Sequence, residues 1–575
     1  MKVDTLPTSL KTRPSFEKIE AWPLSLLLLS LLLATPILVV ASSVFFPAGD
    51  IWEHLLDTVL TRYVKNSAAL MLGVSIGVLA LGILPAWLVS AYRFPGRAIF
   101  EWALLLPLAI PAYIIAYTYT GMLDVAGPLQ SALRETFDWR YGDYWFPEIR
   151  SLGGAITMLS LVFYPYVYLL CRAAFAEQSG SVMEAARSLG CTSRGAFVRV
   201  AMPLARPAIV VGLSIALMET LADYGTVQYF GLSTFTTGIY RTWNGLGSSV
   251  GAAQLAALLM CFVFVLVSLE SASRRQSQFF NTGSRVRPGA RVPLHGVALV
   301  GAYMACGLPV LFGFLVPFTQ LAVWAGLTAE TILTRDFFGY LLNSVTLAVI
   351  TALAALALAL FIAYGKRLYP SRSSTAASRV LGLGYALPGT VVAIGVLLPF
   401  AWLDNRLSAF LLARFDTNPG LLLSGTAFIL VFAYLVRFLP IAMNTVEAGL
   451  GKIKPSMDEA GRSMGLRPAI MLRRIHMPMM RGSLVTALLL VFVDVMKELP
   501  ATLLLRPFNF NTLAIRTYEL ANEERLADAA GPALAIVLAS LIPVILLSLS
   551  LRPSAGALEE ADIINKTSNT TGKES

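Results

Sequence analysis

Glu219 and Asp223 stand four residues apart, so they fall on one face of a helix, and Asp494 and Glu498 repeat the spacing 275 positions further on. Both pairs lie within long apolar runs, where an ionisable group is costly unless it faces a cavity or a partner. Four carboxylates brought to a common axis would offer oxygen ligands to a hard cation and line an acidic conduit. A second reading is structural pairing, with the adjacent Lys497 or with Arg437, and Lys497 would weaken a cation site. The sequence assigns no metal ligands beyond this. His54, His295 and His476 are too dispersed for a metal cluster, with His476 read as an ordinary polar position. Tyr113, Tyr117, Tyr119, Tyr164, Tyr166 and Tyr168 invite a metal–phenolate reading, but interface belts and core packing account for most such residues. Glu523, Glu524 and Asp528 read as a solvated loop that would be free to meet a partner.

A second repeated feature is polar. Ser181-Val182-Met183-Glu184-Ala185-Ala186-Arg187-Ser188-Leu189-Gly190 returns as Ser456-Met457-Asp458-Glu459-Ala460-Gly461-Arg462-Ser463-Met464-Gly465. Each copy reaches a Met-Pro pair, Met202-Pro203 or Met477-Pro478, with the Pro thirteen residues beyond the Gly. Ser181 with Glu184, and Ser456 with Glu459, have capping-box spacing, and Gly190 and Gly465 suit a left-handed helix end. The spacing predicts a helix of about two turns, too short to be stable alone and in need of a surface. Capping alone does not explain the shared Gly and Pro, so a docking role is expected beside it.

Hydrophobic residues make up 56% of the chain and charged residues 14%, with mean hydropathy +0.69, which places most of it in lipid. Apolar runs fall near 23–46, 66–91, 102–123, 152–175, 207–228 and 249–270, and again near 294–317, 341–364, 379–403, 420–443, 483–505 and 530–551. The fold class is therefore all-α and polytopic, about twelve spans in two six-helix halves. The first half is 23–270 with its polar loop at 181–206, and the second is 294–551 with its loop at 456–481. The remaining segments are an N-terminal stretch 1–22, a basic linker 271–293 and a polar tail 552–575 expected to be disordered. Asn66-Ser67 matches Asn343-Ser344, Ile110-Pro111-Ala112 matches Leu387-Pro388-Gly389, and Phe163-Tyr164-Pro165 matches Phe438-Leu439-Pro440. Thr237 and Arg241 are matched to Thr512 and Arg516. Halves with both polar loops on one side form a parallel repeat, with a pathway expected along its axis. Arg187, Arg194, Arg199 and Arg206 in one loop, and Arg462, Arg467, Arg473, Arg474 and Arg481 in the other, put both loops and both termini in the cytoplasm by the positive-inside rule. That asymmetry explains the net charge of +10 without a nucleic-acid partner.

The pattern Glu-Ala-Ala-x-x-x-Gly with its distal Pro resembles the EAA loop of binding-protein-dependent ABC importer permeases, of type I architecture. The resemblance implies that Glu184, Ala185, Ala186 and Gly190, with Glu459, Ala460 and Gly465, couple to cytoplasmic ATPase subunits working as a dimer. Gly461 departs from the second Ala. The segments Ala222–Val227 and Lys497–Pro507 look like the fused ferric-iron permeases, with thiamine and polyamine permeases the nearest alternatives. The family implies an external solute-binding protein, a place in the bacterial inner membrane and no cofactor on this chain, ATP-Mg being used by the partner. Consistent with that, no GxxxxGK[ST] loop occurs: Gly451-Lys452 has Val446 and Ile453 at the required Gly and Ser/Thr positions. A twelve-span secondary transporter would also show two halves and buried acids, but not twin docking loops. A membrane-embedded enzyme lacks a HExxH motif or any metal-ligand spacing to support it.

Overall fold

Leu-, Ala- and Val-rich runs bury every backbone amide within their own helix, which is what a lipid environment demands of a spanning segment. The computed structural model describes residues 21–178, 188, 190–277, 292–332, 334–417 and 420–550. The first half comprises α1 (Ala21–Ser42), α2 (Leu60–Ala91), α3 (Arg97–Ala103), α4 (Ala112–Leu123), α5 (Leu152–Glu177), α6 (Met202–Ala222), α7 (Gly225–Tyr229), α8 (Phe235–Asn244) and α9 (Ser249–Ser277). The second comprises α10 (Val297–Val310), α11 (Val316–Leu327), α12 (Arg335–Leu368), α13 (Arg372–Gly382), α14 (Gly389–Phe415), α15 (Ala427–Gly451), α16 (Pro455–Ser463), α17 (Arg481–Met496), α18 (Pro500–Leu505), α19 (Leu513–Asn522) and α20 (Leu526–Ser550). Among the described residues the one sheet pairs Tyr92–Arg93 in parallel with Val292–Pro293. Among the described residues ten helices are long and apolar enough to cross a membrane, and two bent pairs raise the number to twelve.

Four expected spans are interrupted. The third, expected over 102–123, bends by 90° at Ile110-Pro111, both extended, and the ninth begins at Gly389 rather than near 379, after the extended Leu387-Pro388. Proline has no N–H to donate and restricts the residue before it, so the helix restarts there. The fifth breaks between Ala222 and Gly225, and the eleventh between Met496 and Pro500.

Each half sends its first helix across to the other. α1 packs on α13 and α14, where a Cβ on Gly395 would stand 2.5 Å from the Pro36 carbonyl oxygen. Reciprocally, a Cβ on Gly313, in the π-helical turn joining α10 to α11, would meet Pro107 at 2.9 Å and the Leu161 carbonyl at 3.1 Å. The Tyr303 ring lies 6.0 Å from Phe94 and 6.1 Å from Phe100.

The repeat is also visible in its polar ties. Asn66 donates to the Ser233 carbonyl and Asn343 to the Asn511 carbonyl, both at 3.0 Å. Ser67 Oγ accepts from the Phe235 amide at 3.4 Å, and Ser344 Oγ from the Leu513 amide at 2.8 Å. Thr234 and Thr512 are thus the matching first-turn boundaries of α8 and α19. This corrects the pairing of Thr237 with Thr512. Thr237 instead closes a capping box on Thr234, and the two halves differ by three residues before these helices.

Within the first half, α2 lies against α5 through glycines: a Cβ on Gly73 would collide with Ile156, and one on Gly77 with Ser160. Small residues permit this close approach in the absence of a hydrophobic driving force. Gly77→Val is expected to cost about 1–3 kcal/mol by overpacking, read as a lower thermal-unfolding midpoint in detergent. Ser160→Gly should restore part of the loss.

Candidate functional site

Both helix breaks leave backbone amides that only side chains can satisfy inside an apolar layer. In the first half, Asp223 Oδ1 accepts from the Val227 amide at 3.1 Å and Oδ2 from the Thr226 hydroxyl at 3.0 Å. In the second, Glu498 Oε1 accepts from the Ala501 amide at 2.9 Å. A carboxylate at the start of α7 or α18 also meets the positive end of the helix dipole.

The four carboxylates line one cavity of about 110 Å³ together with Tyr113, Tyr166, Tyr385, Arg437 and Lys497. Arg437 comes from α15 and is 7% exposed. Its Nη1 donates to Glu498 Oε2 at 2.5 Å, while Nη2 stands 3.9 Å from Glu219 Oε2 in the other half. The Tyr385 hydroxyl donates to Glu219 Oε1 at 3.0 Å, and Lys497 Nζ pairs with Asp494 Oδ1 at 2.8 Å. The two readings of these acids therefore coincide: each is held by a donor, and each lines the cavity. Among the described residues no three His, Cys, Asp or Glu side chains gather as metal ligands.

The tyrosines divide. Tyr117 donates to the Ala529 carbonyl, Tyr119 to that of Phe312 and Tyr168 to that of Glu101, so these three are packing residues. Tyr113 and Tyr166 line the cavity. Tyr385 was missed by sequence reasoning, because its counterpart in the first half is the apolar Leu108 and no repeat marks it. Of the exposed loop acids, Glu524 pairs with Arg150 at 3.0 Å and Asp528 with Arg525 at 2.7 Å. Such pairs contribute little at a surface.

The second polar loop is fully described around α16. The helix begins at Pro455 after Lys454 and has no side-chain cap, so Ser456 does not act as the expected N-cap. Pro455 supplies the fixed φ of a first helical position, which moves the helix start upstream of Ser456. At the other end Gly465 adopts φ +71°, the Leu466 amide donates to the Gly461 carbonyl at 3.0 Å, and the Gly465 amide donates to that of Arg462 at 2.9 Å. These bonds complete a Schellman motif. Gly190 in the first loop has φ +81°. Ser181, Glu184, Ala185 and Ala186 lie outside the described residues.

One face of α16 is buried and the other open. Glu459, Ala460 and Met464 are exposed, whereas Asp458 and Gly461 face inward. A Cβ on Gly461 would sit 2.7 Å from Met471 Sδ, so packing inside the loop favours glycine there. Asp458 receives Arg367 Nε at 2.8 Å and approaches His476 Nε2 at 2.7 Å. Arg367 also donates to the carbonyls of Leu450 at 2.5 Å and Ile453 at 2.8 Å. His476, taken as an ordinary polar position, is fully buried and part of this clamp. Burial raises the Asp458 carboxyl, but hydrogen bonds from Arg367 and His476 outweigh it and leave it below the ordinary 3.8. The carboxylate's contribution is thus present above the ordinary value and lost as pH falls through the lowered one. In the first half Met183 and Ala201 occupy the positions of Asp458 and His476, so that half lacks these groups.

Both loops enter their next span through a π-helical turn, Phe197–Ala201 and Leu472–His476, ahead of Met202-Pro203 and Met477-Pro478. The proline has no N–H to give, and a wider turn re-registers the ladder around it.

Comparison with known proteins places these features in a family. Residues 78–275 and 355–557 each match the binding-protein-dependent transport system inner membrane component. The chain is 28% identical over 507 residues to the Fe(3+)-transport system permease protein FbpB 2 of Haemophilus influenzae, covering 86% of this chain and 91% of that one. It is 24% identical to the putative ferric transport system permease protein FbpB 1 of the same organism, covering 84% and 76%. The molybdenum transport system permease protein ModB of Escherichia coli is 25% identical over 33% of this chain and 83% of its own.

Removing the carboxylate at the clamp takes the counter-charge from a partly buried guanidinium. Asp458→Ala is expected to destabilise the second loop by about 3 kcal/mol and to speed tryptic cleavage at the exposed Arg462 and Arg467. Asp458→Asn should fall between it and the unmodified protein.

Proposed function

Because the chain belongs to the family of binding-protein-dependent transport system inner membrane components and carries its domain twice, we propose that this single polypeptide forms the complete transmembrane pathway of an ATP-driven ferric-iron importer. Membership makes it a multi-pass importer permease. The ferric cargo is supported by relatives named for Fe(3+) or ferric transport over more than four-fifths of the chain. The single observation that carries the cation reading is the cavity between the halves, where four carboxylates face two basic groups. Glu219, Asp223, Asp494 and Glu498 line the pathway in this reading. An external solute-binding protein delivers the cargo, and the halves alternate between outward- and inward-facing states.

ATP is hydrolysed by separate cytoplasmic subunits that dock on the loops at 181–206 and 456–481. Glu184, Ala185, Ala186 and Gly190 form one handle, and Glu459, Ala460, Gly461 and Gly465 the other. The exposure of Glu459 and Ala460 on α16, with Gly461 packed inward, supports that assignment. Both termini are then cytoplasmic.

Two measurements test this reading. In a deletion strain under iron limitation and with no redundant importer, restoring the gene is expected to restore uptake of labelled ferric iron and not of thiamine, spermidine or molybdate. Unchanged iron uptake on deletion overturns the cargo. Glu184→Arg combined with Glu459→Arg should abolish uptake with expression retained. Full uptake by that variant would remove the docking assignment.

A further inference from the structure

Resting on the reading of a cation-carrying importer, we propose that Arg437 is a tethered stand-in for the cargo: its guanidinium occupies the acidic cavity between transport events, and a hard multivalent cation enters by displacing it from Glu219. The charges are shared unequally between the halves. In the second half each acid has its own base, Lys497 on Asp494 at 2.8 Å and Arg437 on Glu498 at 2.5 Å. In the first half Asp223 has only neutral donors, Thr226 and Val227. Glu219 has the Tyr385 hydroxyl and the 3.9 Å approach of Arg437. Val162 and Ala222 stand at the offset positions of Arg437 and Lys497, so the first half brings no cation of its own. Arg437 therefore spans the seam, with its short contact inside its own half and its long one to the other half.

Tyr113 points independently to a ligand. It is 5% exposed, lines the same cavity, and its hydroxyl has no hydrogen-bond partner among the described residues. A buried hydroxyl left unpaired is costly, and such groups call for an explanation. An entering cation would meet that oxygen beside the carboxylates that line the cavity, a chemistry suited to hard ions. The cavity's size agrees: about 110 Å³ holds an ion with a few waters, below the range of pockets for organic ligands. The four carboxylates are drawn to four different donors, and Arg437 is the one that reaches both halves, so its release frees Glu498 and removes the cation beside Glu219.

Terbium(III) bound near tyrosine luminesces by energy transfer, which gives a direct probe on the intact transporter in lipid nanodiscs without nucleotide. Arg437→Gln is expected to tighten apparent terbium affinity about tenfold or more, because it uncovers paired carboxylates. Arg437→Lys should behave as the unmodified protein, and Arg437→Gln with Glu219→Gln should lose the gain. If Arg437→Gln does not fold, Gly389→Ala serves instead. Its Cβ would stand 2.6 Å from Glu498 Oε1 and 2.7 Å from Arg437 Nη1, wedging the pair apart. Folded variants that bind terbium no better than the unmodified protein overturn the proposal, as does molybdate binding that disappears with Arg437. A gain in terbium affinity alongside absent ferric uptake would instead sustain the stand-in and reject iron as the cargo.

Discussion

A backbone that stops being helical inside an apolar layer must find hydrogen-bond partners at once, since no solvent is there to supply them. That constraint shapes the centre of this protein. The fifth and eleventh spans each stop short and restart as a one- or two-turn helix, and at each break an acidic side chain receives the freed amides. Asp223 and Glu498 are thereby fixed in place by a local need. Because the breaks fall at matching places in two repeats, the same need delivers two carboxylates to the seam between the halves. Glu219 and Asp494 lie in the last turn of α6 and α17, ahead of the breaks that hold Asp223 and Glu498, so each pair lines the cavity from both sides of a helix end and not from one helix face as its spacing suggested. An acidic lining thus arises from helix termination before any cargo is considered.

Duplication sets the frame and divergence tunes it. The Asn-Ser ties that hold α8 and α19 are alike in both halves, and so are the π-helical turns ahead of the Met-Pro pairs. The charges are not alike. Arg437 and Lys497 have Val162 and Ala222 as counterparts, and Asp458 and His476 have Met183 and Ala201. The second half alone therefore carries both the bases of the cavity and the Asp–His pair of the loop clamp. A buried arginine that touches carboxylates of both halves cannot be neutral to their separation, because parting them leaves a charge to be solvated again.

Much of this was legible in residues alone. The acidic pairs, the duplicated loop and its left-handed glycines follow from spacing, and the structure places the acids around one cavity. What escaped the sequence is mostly long-range. Tyr385 reaches Glu219 from 166 positions away, and Arg367 reaches Asp458 from 91. Neither pairing leaves a periodic trace. Nor does composition reveal that α1 wraps the second half, since an apolar helix is equally satisfied by lipid or by protein. The Ser456 cap failed for a local reason, Pro455 claiming the helix start, and the match of Thr237 to Thr512 failed because three residues shift the register without altering residue type.

Loop and cavity are joined by one stretch of chain. From α16 the backbone passes through the second helix of the loop, turns by 82° at Met479–Arg481, and continues as α17 to Met496, two residues before Glu498. A helix of sixteen residues spans about 24 Å and resists bending. Asp458, Arg367 and His476 fix the near end of that lever to α12, while Glu498 at its far end holds Arg437. The first half runs from Gly190 through Met202-Pro203 into α6 without that bend, as one helical stretch from Phe197 to Ala222, next to Asp223. α6 and α17 are thus two stiff rods, each running from the end of a polar loop to the acids of the cavity.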